Sequence, residues 1–260
     1  MLKKQHCMEA VRMGEVITLV GMILVAAPIK EYDKRIELLT KERGRISAFA
    51  QGARKPNSAL SACTIPFTFG EFQLYEGRTS YNLQSAVITN YFGEIAQDYD
   101  ALCYASYFTE IAQYLSRENM DAGNELNLIY ITLRAVIAKK VPLKLIKLIY
   151  EMRYLFLQGE GIELFNCLRC GREDAYDVYM AEGGLICSDC ASKDKRLAKE
   201  YPIRLSHDAR YTLQYILSSK VESLYTFTVS DEVLNELQQF MKRYLARYMP
   251  HRFKTLDFIV

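Results

Sequence analysis

The chain has 260 residues, half of them hydrophobic and a quarter charged, with a formal net charge of +2. This is the balance of a globular protein of one large or two modest domains, and it excludes a disordered, collagen-like or heptad-repeat chain. Charge is unevenly spread: residues 1–90 carry +4, residues 91–190 carry −6 and residues 191–260 carry +4.

The first ninety residues read as β structure. Glu15–Ala27 is a β-branched run with Gly21 inside it, and an interior glycine marks a bulge or bend. The uncharged stretch Val16–Ile29 is too short to span a membrane, so it reads as a strand and not as a secretion signal or anchor. Arg35–Thr40 and Arg45–Gln51 are the next strands, joined through Gly44; Gly52–Ser58 is a polar loop. Thr64–Tyr75 and Arg78–Thr89 complete five strands, turned at Glu76-Gly77. Five short strands linked by hairpins predict a small barrel, most simply an OB-fold, with an SH3-like barrel as the alternative.

From Glu94 the apolar period becomes helical, through Ile95, Tyr99, Leu102, Tyr107, Ile111 and Leu115. A second helix carries Leu126, Ile129, Leu133 and Val136. A third places Pro142 in its first turn and stops near Gly159. Ser206–Ser219 and Asp231–Met249 are two further helices, the last capped by Ser230. The expected fold class is therefore α+β: an OB barrel over 13–91 and a helical domain over 92–260. A zinc ribbon over 163–192 is inserted in that domain.

The ribbon rests on Cys167, Cys170, Cys187 and Cys190, spaced C-x2-C-x16-C-x2-C. A two-residue gap lets both thiolates of a pair face one ion, and Gly171 suits the turn after the second ligand. Four soft thiolates in a closed shell suit one structural Zn²⁺ and leave no position for substrate. Arg169 and Arg172 stand near enough in sequence to offset the site's negative charge. A redox C-x-x-C lacks its usual strand-to-helix context here, while an iron–sulfur cluster uses the same ligand set. The other cysteines, Cys7, Cys63 and Cys103, stand alone, which fits a reducing, cytoplasmic compartment.

Two basic clusters flank this centre. Lys34, Arg35, Lys41, Arg43, Arg45, Arg54 and Lys55 lie within 22 residues of the barrel, with Tyr32, Phe49, Phe67, Phe69, Phe72, Tyr75 and Tyr81 as aromatic neighbours. Such a groove neutralises phosphates and stacks on unpaired bases, although a small barrel also fills itself with aromatic side chains. Asp33, Glu37 and Glu42 interrupt the run. Lys242, Arg243, Arg247, His251, Arg252 and Lys254 form the second cluster, with Arg243 and Arg247 on one helix face and Lys242, Arg243, Arg247 and Arg252 as its candidate DNA contacts. The alternative for that cluster is interaction with the helix dipole. No phosphate-binding loop, dinucleotide fingerprint, nucleophile elbow or zinc-protease motif occurs, and the only histidines are His6, His207 and His251. A binding protein is favoured over an enzyme.

The segments Glu31–Ile36, Leu39–Gly44 and Gly52–Ser58 resemble the amino-terminal barrel of the bacterial recombination mediator family RecO. Ala105–Glu110 resembles the start of that family's helical domain, and His251–Leu256 its tail. The likeness runs from about Met13 to Ile259, leaving 1–12 as a leader outside it and Met13 as an alternative start. The resemblance implies a non-catalytic DNA repair protein, cytoplasmic and nucleoid-associated, that binds single- and double-stranded DNA and anneals complementary strands. It implies RecR and single-strand-binding protein, through its C-terminal tail, as partners, and RecA loading as an indirect outcome. The competing readings are a protein-interaction adaptor that does not touch DNA and a thiol-exchange enzyme.

Overall fold

The computed structural model describes residues 15–78, 80–197 and 200–259. The leader 1–12 and the start at Met13 lie outside the described residues. The chain divides into two compact units: residues up to Tyr91 together with Arg117–Asp121, and Phe92–Ser116 with the remainder from Ala122.

The first unit is a closed barrel of β1 (Glu15–Ile29), β2 (Asp33–Thr40), β3 (Gly44–Ala50), β4 (Phe69–Glu76) and β5 (Tyr81–Asn90), ordered β1-β2-β3-β5-β4. This is the OB arrangement. The long first strand closes it by serving two ladders, pairing β4 through residues 15–22 and β2 through 21–29. Gly21 sits where the ladders overlap, and a Cβ there would lie 2.7 Å from the Leu39 carbonyl oxygen. The glycine thus permits a close backbone approach, while the irregularity itself falls between Ile23 and Val25. Burial alternates strictly along β3, as period-two geometry requires. Leu19, Ile23, Ile36, Leu38, Ile46, Phe72 and Leu74 fill the interior against the small Ala48 and Ala50.

Two features differ from the sequence reading. The fourth strand begins at Phe69, not Thr64, because Phe67 adopts φ 71° and breaks the extended run. Before it, Ala59–Cys63 form a short helix, α1, whose start is capped by the Ser58 hydroxyl accepting from the Leu60 amide.

Arg117–Asp121 also belongs to the barrel unit. The Arg45 amide donates to the Arg117 carbonyl at 3.0 Å and the Asn119 amide to the Arg43 carbonyl at 2.9 Å. Gly44, at φ +63°, makes this approach possible, since a Cβ there would lie 2.1 Å from the Arg117 carbonyl oxygen. Gly44→Ala therefore combines left-handed strain with a clash against backbone. We expect it to destabilise the barrel by on the order of 3 kcal/mol. A urea unfolding midpoint equal to wild type would contradict this.

The second unit is built on α2 (Tyr99–Leu115), α3 (Gly123–Ala138) and α4 (Leu143–Leu157), followed by α6 (His207–Ser218) and α7 (Asp231–Tyr248). Between α4 and α6 lie β6 (Asp177–Tyr179), β7 (Gly184–Leu185), the short α5 (Ser188–Ala191) and β8 (Ile203–Arg204). Pro142 caps α4 from outside at ψ 137° and does not occupy its first turn; Gly159 takes φ +83° just past the end. Ser206 and Ser230 cap α6 and α7 through their hydroxyls. Buried tyrosines keep their hydroxyls paired: Tyr150 donates to the Phe108 carbonyl and Tyr107 to Glu151. The tail returns to α2, where Phe253 packs edge-on to Tyr107 and Tyr114 and Glu110 accepts the amides of Lys254 and Thr255. No helix among the described residues is long and apolar enough to cross a membrane.

Candidate metal centre and nucleic-acid interface

The ribbon brings all four cysteines together. In the first loop, the Gly171 amide closes on the Cys167 carbonyl at 2.9 Å, with Gly171 at φ +72°. In the second, Cys187 stands at the start of α5 and the Cys190 amide donates back to its carbonyl. β6 pairs with β7 and β8, so a strand from beyond the second cysteine pair completes a three-stranded sheet. Only two residues long, β8 carries no periodic signal in sequence.

The four sulfurs lie within 4.8 Å of one another, and Cys170 and Cys187 approach to 3.7 Å. A disulfide would hold two sulfurs at about 2.05 Å, and none of the described cysteines is in a disulfide. Tetrahedral bonds of ~2.3 Å to one ion separate sulfurs by about 3.8 Å, so the donor set fits a four-coordinate metal. The Cys187 amide also donates to the Cys167 sulfur at 3.3 Å. Burial opposes ionisation of Cys167, but this amide and those of Arg169 and Cys170 outweigh it and bring the thiol down to about 6. Cys190, hydrogen-bonded to Cys187 and Cys170, is pushed the other way. The convergence of both pairs makes them one centre and not two separate redox couples.

Arg169 and Arg172 are drawn to carboxylates. Arg169 pairs with Glu182 at 2.6 Å, and Arg172 with Asp189 at 2.8 Å, a contact joining the first cysteine loop to the second. Arg196 pairs with Asp194 and Arg204 with Asp177. The ribbon's arginines are thus largely offset by its own acids.

The barrel cations fall into two groups. At one end, the β1–β2 turn is tied to the Gly52–Ser58 loop. The Arg54 amide donates to the Tyr32 carbonyl, Arg54 Nη1 reaches the Lys30 and Glu31 carbonyls, and the Gly52 amide donates to Asp33. Lys55 lies over the Tyr32 ring at 5.9 Å. Lys34 donates to the Thr64 carbonyl and hydroxyl, and burial pulls its pKa below the ordinary lysine value. With Arg35 alongside on β2, this end gathers Lys30, Lys34, Arg35, Arg54 and Lys55 against Glu31 and Asp33. At the other end, about 20 Å along β2, stand Lys41, Arg43, Arg45 and Arg117, balanced by Glu37, Glu42, Glu76 and Glu118. Arg45 pairs with Glu37 at 3.3 Å and Arg43 with Glu76 at 3.7 Å. Arg35 also meets Glu37, at 3.7 Å, while its Nε donates to Ser47. The first end keeps an excess of positive charge even with Glu37 shared between Arg35 and Arg45.

Sequence reasoning missed Lys30 and Arg117. Lys30 falls at a turn position just outside the basic run, and Arg117 arrives from seventy residues downstream with no local signal. Among the aromatics, Tyr32 is exposed, Phe49, Phe69 and Tyr75 are half-buried, and Phe67, Phe72 and Tyr81 are buried.

The carboxyl-terminal cations divide: Arg243 and Arg247 share one helix face, and Lys242 and Arg252 make other contacts. Arg243 donates to the Tyr201 carbonyl at 2.7 Å, just beyond the ribbon, and Arg247 to that of Ala181 at 3.5 Å, within it. Arg252 pairs with Asp257. Lys242 turns to a groove of about 450 Å³, which it lines with Lys144, Lys147, Leu148, Met241 and Leu245. Lys147 is fixed there by the buried Glu151 at 2.7 Å and by the Tyr107 ring at 5.3 Å.

Comparison with known proteins gives the lineage. Residues 13–92 match the family described as recombination protein O N terminal, and residues 96–257 match recombination protein O C terminal. A DNA repair protein RecO from Acetivibrio thermocellus is 31% identical over 243 residues, covering 92% of this chain and 94% of that protein. The RecO proteins of Desulforamulus reducens and Shouchella clausii are 28% and 29% identical, each over 92% of both chains.

Proposed function

The chain belongs to the RecO family of DNA repair proteins, and on that premise we propose that it is a non-catalytic mediator of recombination. In this reading it binds single- and double-stranded DNA at one end of its barrel and anneals complementary strands. The observation that carries the reading is the charge excess around Lys30, Lys34, Arg35, Arg54 and Lys55, five cations against Glu31, Asp33 and the Glu37 that Arg35 shares with Arg45, beside the exposed ring of Tyr32. Cations attract phosphates and an exposed ring offers stacking to an unpaired base. Two strands held on positive surface repel each other less, which favours pairing. The balanced end near Lys41, Arg43 and Arg45 contributes less, and Lys242, Arg243, Arg247 and Arg252 serve other contacts.

The ion of the four-cysteine centre is Zn²⁺ in this proposal, held by Cys167, Cys170, Cys187 and Cys190, and its role is to brace the ribbon. RecR and RecA act with the protein downstream. The lysine-lined groove supports uptake of the acidic, apolar-ended tail of single-strand-binding protein: Lys144 and Lys242 meet its charge while Lys147 is held by Glu151, and Leu148, Met241 and Leu245 meet its apolar end.

The test is annealing of complementary strands coated with single-strand-binding protein. The chain is expected to speed pairing by about an order of magnitude or more over the coated strands alone, with steep loss as salt rises. Retarded DNA without faster pairing would leave only the binding half of the proposal. No retardation at low salt would favour the adaptor reading.

A further inference from the structure

Between the short helical turn at Val221–Ser223 and α7, residues Phe227–Ser230 run without turn or bend. Burial alternates from Thr226 to Ser230, exposed then half-buried, which is the period of a strand with one covered face. Among the described residues it has no strand beside it. The amides of Phe227, Thr228 and Val229 make no hydrogen bond among the described residues. Natural proteins blunt an open edge with lysine, proline or a covering element. This one carries neither lysine nor proline, and three of its five residues are β-branched.

Alongside lies a hollow of about 550 Å³ walled by Tyr211, Tyr215, Phe227, Val229 and Val233. Phe227 meets Tyr215 edge-on at 5.1 Å, so the wall is set, while Tyr211 stands 63% exposed at the rim. The only charged residue lining the hollow is Asp208. Tyr211 also borders a neighbouring hollow that contains Glu173 and Asp174, where Arg172 lies 3.8 Å from Asp174 and His207 lies 3.3 Å from Asp208. Arg210 lines that second hollow, but its guanidinium is engaged by the Leu164 and Phe165 carbonyls. Asp231 and Glu232 follow the edge directly and are exposed.

We infer that Thr226–Ser230 is a docking edge for an extended, basic segment of a partner protein, which pairs along its backbone and sets an apolar side chain against Tyr211 and Phe227. Main-chain pairing supplies affinity in such strand addition, and the pocket for alternate side chains supplies selectivity. The acidic rim sets the sign of the partner's charge. Val229 and Asp231 also border a third hollow, where Lys144 of the lysine-lined groove stands with Asp100, so one lysine faces the edge from α4 against the acids named above.

The test uses two fluorescein-labelled peptides on the full chain: one alternates lysine with valine and a central phenylalanine, and the other replaces each lysine with glutamate. Fluorescence anisotropy is expected to show the lysine peptide binding at least about tenfold more tightly. Hydrogen exchange at Phe227 and Val229 should slow when it binds. Tyr211→Ala and Thr228→Pro should each weaken it by about tenfold or more. Both positions are exposed and Thr228 loses no internal hydrogen bond, so melting should be unaffected; if Thr228→Pro does lower it, Tyr211→Ala decides. Equal affinity for the two peptides, no binding, or wild-type affinity in Tyr211→Ala with unprotected amides would each overturn the inference.

Discussion

Replacing Cys170 with alanine is expected to empty the four-cysteine centre and to lower the stability of the helical unit by on the order of 4–5 kcal/mol, a melting shift of roughly 10 °C. The size follows from how little else holds the ribbon. Its sheet has strands of three, two and two residues. Its ion pairs are largely exposed and contribute little each. Cys167 and Cys187 are buried, so an uncoordinated cluster leaves thiols inside the protein without the cation that offsets their charge. The effect should spread to α7, because Arg247 reaches the ribbon carbonyl of Ala181, Arg243 that of Tyr201 just beyond the ribbon, and Tyr244 donates to the Glu160 carbonyl. Metal analysis with differential scanning calorimetry checks both parts. Loss of metal with wild-type melting would show the ribbon to be dispensable.

The second large effect concerns DNA. Reversing Arg35, Arg54 and Lys55 to glutamate together should lower affinity for single-stranded DNA by roughly 100-fold near 0.1 M salt. It should also flatten the logarithmic salt dependence by about two. All three side chains are exposed, so the barrel should still fold. The matching reversal of Lys41, Arg43 and Arg117 is the control. Those cations sit among as many carboxylates, so their loss should cost markedly less. A fluorescence titration across salt concentrations separates the two ends. Equal losses would mean that local charge excess is not what selects the site, and an unchanged slope in the first variant would remove that end from the interface.

Much of the fold was legible because its signals are local. β-branched runs, hairpin glycines and the capping serines Ser206 and Ser230 each act within a few residues, and the barrel and helices follow from them. The cysteine spacing was legible because ligand geometry constrains it directly. What could not be read were contacts set by distant chain. β8 is two residues long, and α1 lies in a stretch that reads as no element. The C-terminal cluster illustrates the limit well. Arg243 and Arg247 do share a helix face, as their spacing requires, but only the fold reveals that this face meets carbonyls in and just beyond the ribbon. Lys242 lies about 100° around the helix from Arg243, and it serves a different surface. The barrel cations were found by composition, yet their division into an excess end and a balanced end depends on acids such as Glu76 and Glu118, from other parts of the chain.

The five residues Arg117–Asp121 carry a consequence for how the molecule is made and cut. A ribosome that has released the first ninety-one residues has supplied all five strands but not the rung that seats against Gly44, Arg43 and Arg45. Completion of the barrel must wait until a further helix has emerged. A fragment ending at Tyr91 would stay permanently at that unfinished stage, its β2–β3 turn bared to solvent and to neighbouring molecules. An excised barrel should therefore be judged against one that retains this later stretch.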